Sequence, residues 1–164
     1  MESKKIIEVL KQTTFEEILT KIKLESINEE NLSDLITTLE TTDDSILRNR
    51  IALLLSGIGC DMAVPTLLSL ISKEELKNKR GTLIHCLANL RLTTEQILEV
   101  APLLYQGNYE VQKEVCELIK KKSEQLENPN IVQLLVVLQE KIQQYSNTLS
   151  IMEEVKEDLI DHLK

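Results

Sequence analysis

An all-α fold of short, stacked helix pairs is what this chain predicts, and three observations carry the prediction. Apolar residues return at three and four positions along nearly the whole sequence, and no alternation of period two lasts a strand's length. Four glycines and three prolines in 164 residues leave only short connections between the periodic segments. Helix starts are marked repeatedly by a capping side chain with an acid or amide three positions later, the pattern that satisfies the first orphan backbone amides.

The capping signals fall at Thr13 with Glu16, Ser72 with Glu75, and Thr93 with Gln96. Asn128 before Pro129 marks another start, because proline in the first turn forfeits no helical hydrogen bond. Asn28, Asp44, Asp61 and Asn108 are further cap candidates. Between them lie the apolar sets Leu32, Leu35, Ile36, Leu39; Leu47, Ile51, Leu54, Leu55, Ile58; Val64, Leu67, Leu68, Ile71; Leu76, Leu83, Ile84, Leu87; Ile97, Val100, Leu103, Leu104; and Val111, Val115, Leu118, Ile119. These give nine or ten helices, packed as antiparallel pairs because the connections are short.

At this length a single domain buries roughly 70 % of its unfolded surface, so folding needs no metal or disulfide. Aromatic side chains number four (Phe15, Tyr105, Tyr109, Tyr145), which leaves the core to Leu, Ile and Val. A net charge of -8 disfavours nucleic acid and anionic lipid, whose binding relies on Lys and Arg displacing counterions. Cys60, Cys86 and Cys116 are odd in number and sit in apolar helical patterns, as buried thiols of a reducing cytoplasm do. MESKKIIEVLKQ alternates charge with apolar residues and lacks the continuous apolar core of a signal peptide. The run Ile51 to Ile71 is broken by Gly57-Ile58-Gly59-Cys60-Asp61 into pieces too short to span a bilayer.

An internal repeat emerges when Leu47-Arg48-Asn49-Arg50-Ile51-Ala52-Leu53-Leu54-Leu55 is set over Leu76 to Ile84 and over Val111 to Ile119. An aliphatic residue opens each copy, a small one follows five later (Ala52, Gly81, Cys116), and an aliphatic pair closes it. Seven positions beyond comes another small residue: Gly59, Ala88 and Ser123.

The first unit resembles the HEAT and HEAT-like helical repeats. Leu47-Arg48, Leu54-Leu55, Ile58-Gly59, Ala63-Val64-Pro65, Leu67 and Leu70-Ile71 stand where that family places an aliphatic-Arg pair, an apolar pair, a glycine and an Ala-Val-Pro-x-Leu helix. Val100-Ala101-Pro102-Leu103-Leu104 echoes the last piece. The resemblance covers residues 31 to 127, with Lys77 and Gln112 in place of the arginine. It implies an α-α superhelix, a short solenoid whose residues 28–127 hold about three repeats, capped by helices in 1–27 and by a helix or helix pair in 128–164.

The same resemblance implies a concave face lined by helices at about 44–58, 74–89 and 109–126, with outward rows Asn49, Asn78, Lys113; Leu53, Thr82, Glu117; and Ser56, His85, Lys120. These nine are the candidate partner-contact residues of a non-catalytic protein-binding module. Arg48, Arg50, Lys77, Lys79, Arg80 and Lys113 cluster in the second helices. They read either as a basic stripe for phosphate, the basis of an enzyme or nucleic-acid alternative, or as bridges to Glu and Asp of adjacent helices, with the bridges favoured.

No constellation points to catalysis or to a cofactor. The Gly57-Asp61 break lacks the Gly-Lys-Ser/Thr ending of a phosphate loop and follows a helix rather than a strand, so it reads as a helix end. Adjacent His85 and Cys86 point about 100° apart on a helix, and Asp158 with His162 lacks the further ligands zinc needs. Along the last segment Leu138, Ile142, Tyr145, Leu149, Met152, Val155, Leu159 and Leu163 keep three-four spacing, while Ser146-Asn147-Thr148 predicts a turn between them. A continuous helix there would invite a homodimer through residues 130–163.

Overall fold

The computed structural model describes residues 3–14, 17–18 and 27–161, excluding the side chains of 157–161. Among the described residues there are eight α-helices and no strand: α1 (Ser3–Gln12), α2 (Glu29–Thr41), α3 (Ser45–Gly57), α4 (Val64–Ser72), α5 (Gly81–Asn89), α6 (Thr94–Val100), α7 (Tyr109–Lys122) and α8 (Asn128–Asp161). The all-helical expectation holds. Two compact units divide the chain, Met1–Ser123 and Glu124–Lys164.

In the first unit α3 packs against α1, α2 and α5, and α5 packs in turn against α7. The core is aliphatic: Leu35 and Leu39 from α2, Ile51, Leu54 and Leu55 from α3, Leu67 from α4, Leu83 and Ile84 from α5, and Val111, Val115 and Leu118 from α7 are buried. With neighbours on several sides, α3 also buries Arg48 and Ser56, and between its exposed ends only Asn49, Arg50 and Leu53 are partly exposed.

Local chemistry sets most helix starts where the capping residues fall. Asn28 accepts from the Asn31 amide (2.9 Å) and Asn31 reciprocates (3.2 Å). Asp44 Oδ1 takes the amides of Ile46 and Leu47 at 2.9 and 3.1 Å. Thr93 and Gln96 form a complete capping box, and Asn108 caps Val111 at 3.1 Å. Each arrangement answers orphan amides of a first turn.

Three caps differ from expectation. Thr13 turns its hydroxyl back onto the Val9 carbonyl, and Thr14 instead meets Glu17, with Glu16 outside the described residues. Ser72 closes α4, donating to Ser69 O at 2.7 Å, because Lys73 already leaves the helix at ψ 127. Asp61 reaches away from its own turn to accept the Arg91 amide at 2.8 Å.

Gly57 to Cys60 forms a Schellman end: the Cys60 amide donates to Leu55 O (2.9 Å) and the Gly59 amide to Ser56 O (3.1 Å), with Gly59 at φ 71. The break is thus backbone geometry, as the sequence reading holds. The predicted helix 74–89 starts late, since Glu74–Leu76 is a 3₁₀ turn and α5 begins only at Gly81. There a Cβ would lie 2.7 Å from Glu110 Oε1, a contact that the flexible Glu110 side chain can relieve by moving aside.

The second unit holds α8, 34 residues without a break. The turn expected at Ser146-Asn147-Thr148 does not form, because the helix absorbs their polar groups. Thr148 donates to Gln144 O at 3.0 Å and Asn147 accepts from Gln143 at 2.9 Å. The side chain of Leu159, and Leu163 altogether, lie outside the described residues.

The two glycines of the α3 end make opposite predictions. Gly59→Ala forces a left-handed alanine and lowers stability by about 1 kcal/mol. Gly57→Ala, inside the helix and exposed, raises it by about 0.5 kcal/mol. Urea unfolding midpoints of the two variants check both signs.

Candidate functional site

Around α3, α5 and α7, polar side chains join elements of the first unit at a nearly constant interval along the sequence. Ser56 Oγ donates to Cys86 O (3.2 Å), Asn49 Nδ2 to Thr82 Oγ1 (3.5 Å), and Asn108 Nδ2 to Asn78 O (3.2 Å). His85 Nδ1 meets Glu114 Oε2 at 3.1 Å, and Lys121 reaches Asn89 Oδ1 at 2.6 Å. The Asp61–Arg91 and Lys122–Leu90 bonds belong to the same set. All seven connect residues 29 to 33 apart in the sequence.

Three cations serve helix ends. Arg50 Nη1 donates to Leu10 O and Lys11 O (2.9 and 2.8 Å) in the last turn of α1. Arg80 donates to Ile71 O near the end of α4, and Lys122 Nζ to Leu90 O (2.7 Å) just beyond α5. A positive side chain there meets orphan carbonyls and the negative end of the helix dipole. Burial holds the pKa of Arg80 below its ordinary value, with Glu74 acting in the opposite sense. Lys122 is likewise held down, chiefly by burial and then by Lys121.

Arg80 gives its bond to a carbonyl rather than to the expected carboxylate of an adjacent helix. Arg50 also donates to carbonyls, and Lys77 pairs with Glu74 three residues away at 3.1 Å on the surface. Arg48 is 6 % exposed and lines a polar cleft of about 390 Å³ with Lys73 and Lys79, balanced by Glu40, Asp43 and Glu75. Three cations against three carboxylates give this cleft no net pull on phosphate. Arg48, Lys77 and Lys113 share no exposed basic row, since the first is buried.

Of the nine candidate contact residues, Asn78, His85, Lys113, Glu117 and Lys120 are exposed, and Asn49, Leu53 and Thr82 are half-buried. Ser56 is corrected: at 6 % exposure it faces inward and is committed to the Cys86 carbonyl. Asn49 with Thr82, and Glu117 with Lys120 at 3.1 Å, are joined directly. Sequence reasoning did not single out Glu114, Lys121, Lys122 or the Asp61–Arg91 pair. The signal lay in complementary polar residues about 30 positions apart.

Chemistry of a nucleophilic kind has no support in the thiols. Cys86 is buried, and burial pushes its thiol up to about 12. Its thiolate, the reactive form, is therefore scarce at neutral pH. Cys60 is buried and raised for the same first reason, and Cys116 is half-buried; none of the three is bridged. Among the described residues no three His, Cys, Asp or Glu side chains gather as metal ligands, and no helix is long and apolar enough to cross a membrane. The Asp158 side chain and His162 lie outside the described residues.

No family model, curated protein or solved structure matches this chain.

Cys86 gives the fold a specific alkaline signature. Its folded pKa lies above the ordinary 9.0, so its contribution to stability is complete below about pH 9 and is lost as pH rises toward 12. Between those values the thiol alone contributes a slope of about 1.4 kcal/mol per pH unit. Urea unfolding from pH 8.5 to 10.5 should show wild type falling more steeply than Cys86→Ala by about that slope.

Proposed function

We propose that residues 28–127 form a short HEAT-like α-α superhelix that acts as a non-catalytic protein-binding module, an adaptor or a regulatory or inhibitory subunit. The observation that carries this reading is the set of seven polar bonds at separations of 29 to 33, four of them between the helices that the sequence repeat aligns and three at their ends. Stacked repeats bury their joints and offer equivalent side chains of successive units as one extended surface.

The partner is another protein, met by His85, Lys113, Glu117 and Lys120, with Asn49, Leu53, Asn78 and Thr82 beside them. A chain charge of -8 favours a partner with a basic patch, by long-range attraction that salt weakens. The buried, unbridged Cys60 and Cys86 favour the cytoplasm. The balanced cleft around Arg48 and the lack of a common basic row weigh against an enzyme or nucleic-acid binder built on the second helices.

Reversing Lys113→Glu, Glu117→Lys and Lys120→Glu together tests the face, since all three side chains are exposed. Partner capture from extract of the native cell should fall at least 10-fold while the urea midpoint stays within about 0.5 kcal/mol of wild type. Equal capture by wild type and variant places the partner elsewhere. Salt-sensitive DNA retention by the wild-type chain favours the nucleic-acid alternative.

A further inference from the structure

The continuous α8 carries a seam that the protein-binding reading does not use. Ile131, Leu138, Tyr145 and Met152 recur every seven residues, and Leu135, Ile142 and Leu149 recur every seven in the alternate register, with Lys156 next in that second series. This is the a/d pattern of a coiled coil, in which side chains at both positions insert between four residues of a facing helix. Leu135, Ile142, Tyr145, Leu149 and Met152 are each more than half exposed, from 55 % for Tyr145 to 64 % for Met152. A seven-residue period on a helix with 3.6 residues per turn matches the supercoil of a partner helix wound around it.

Length identifies the partner. At 34 residues α8 runs about 51 Å, whereas the next longest described helix, α7, has 14 residues and runs about 21 Å. Within the described chain only a second α8 matches the seam, which means a second copy of the protein. Five exposed side chains on each of two copies, at roughly 100 Å² apiece, supply at most about 1,000 Å², the threshold for a biological interface, and the half-buried Ile131 and Leu138 add to it.

Charge chooses the orientation. Residues 146–161 hold Glu153, Glu154, Glu157, Asp158 and Asp161 against Lys156, a net of 1 - 5 = -4, while residues 128–145 hold only Glu140 and Lys141, a net of zero. Parallel pairing sets two -4 segments side by side and Lys156 opposite its own copy. Antiparallel pairing sets each acidic segment against a neutral one and each Lys156 opposite an apolar series of the partner. We propose that the protein is a homodimer joined by an antiparallel coiled coil of two α8 helices, with Leu135, Leu138, Ile142, Tyr145, Leu149 and Met152 in the seam.

Sedimentation equilibrium on the full chain reads the mass directly: dimer, against 18.7 kDa for the monomer. The variant Ile142→Glu/Leu149→Glu should weaken the dimer by at least 100-fold with its helical circular dichroism and first-unit unfolding retained. In a Cys116→Ser background, nitroxides at Gln133→Cys should lie more than about 30 Å apart across the dimer, given 1.5 Å of rise per residue. A wild-type monomer throughout the micromolar range overturns the proposal, and so does a seam that docks within its own chain or on a different protein. A dimer indifferent to the double variant overturns the seam, and a label separation below about 20 Å overturns the antiparallel arrangement.

Discussion

Short helices leave carbonyls that must be satisfied, and the way this chain satisfies them organises the first unit. A nine-residue helix such as α4 or α5 ends with nearly half of its carbonyls lacking an intrahelical donor. Arg50, Arg80 and Lys122 bring charged donors to the ends of α1, α4 and α5 from positions later in the chain. A charge-assisted bond in a buried setting contributes about 1.5–3 kcal/mol net, and losing the donor leaves an unsatisfied acceptor behind. The same residues that close one helix therefore hold a later one against it.

That dual role explains features that look unrelated in isolation. Arg80 cannot be exposed while it reaches Ile71, so the chain from Lys77 to Arg80 stays a turn and α5 starts at Gly81. Glu110 lies against the start of α5 at Gly81, and one turn further along α7 Glu114 meets His85. Asp61 gives up its own turn to hold Arg91 for the same reason: the longer-range acceptor fixes the spacing of two elements.

The sequence discloses local physics well and distant pairing poorly. Asn28, Asp44, Thr93 and Asn108 cap as their neighbours dictate, and Gly59 takes the left-handed conformation its position requires. Ser56 was expected to face outward, but α3 has packing neighbours on enough sides that it is enclosed. Nothing within three or four residues of Arg50 marks Leu10, 40 positions earlier, as its acceptor. The Ser146-Asn147-Thr148 cluster failed as a turn signal because helical neighbours four residues away satisfy Thr148 and Asn147 inside α8. Of the candidate face, the exposed row from His85 to Lys120 was legible from helical spacing, whereas its bonding partners were not.

If polar bonds between helix pairs hold the first unit together, its helices open as one cooperative body. Native-state hydrogen exchange on wild type and Lys122→Met tests this most directly, because the substitution keeps length and apolar stem while removing the donor to Leu90. The account predicts that the most protected amides of α3, α5 and α7 share one opening free energy and that all fall together by about 1.5–3 kcal/mol in the variant. A loss confined to the end of α5, with α3 unchanged, would contradict it.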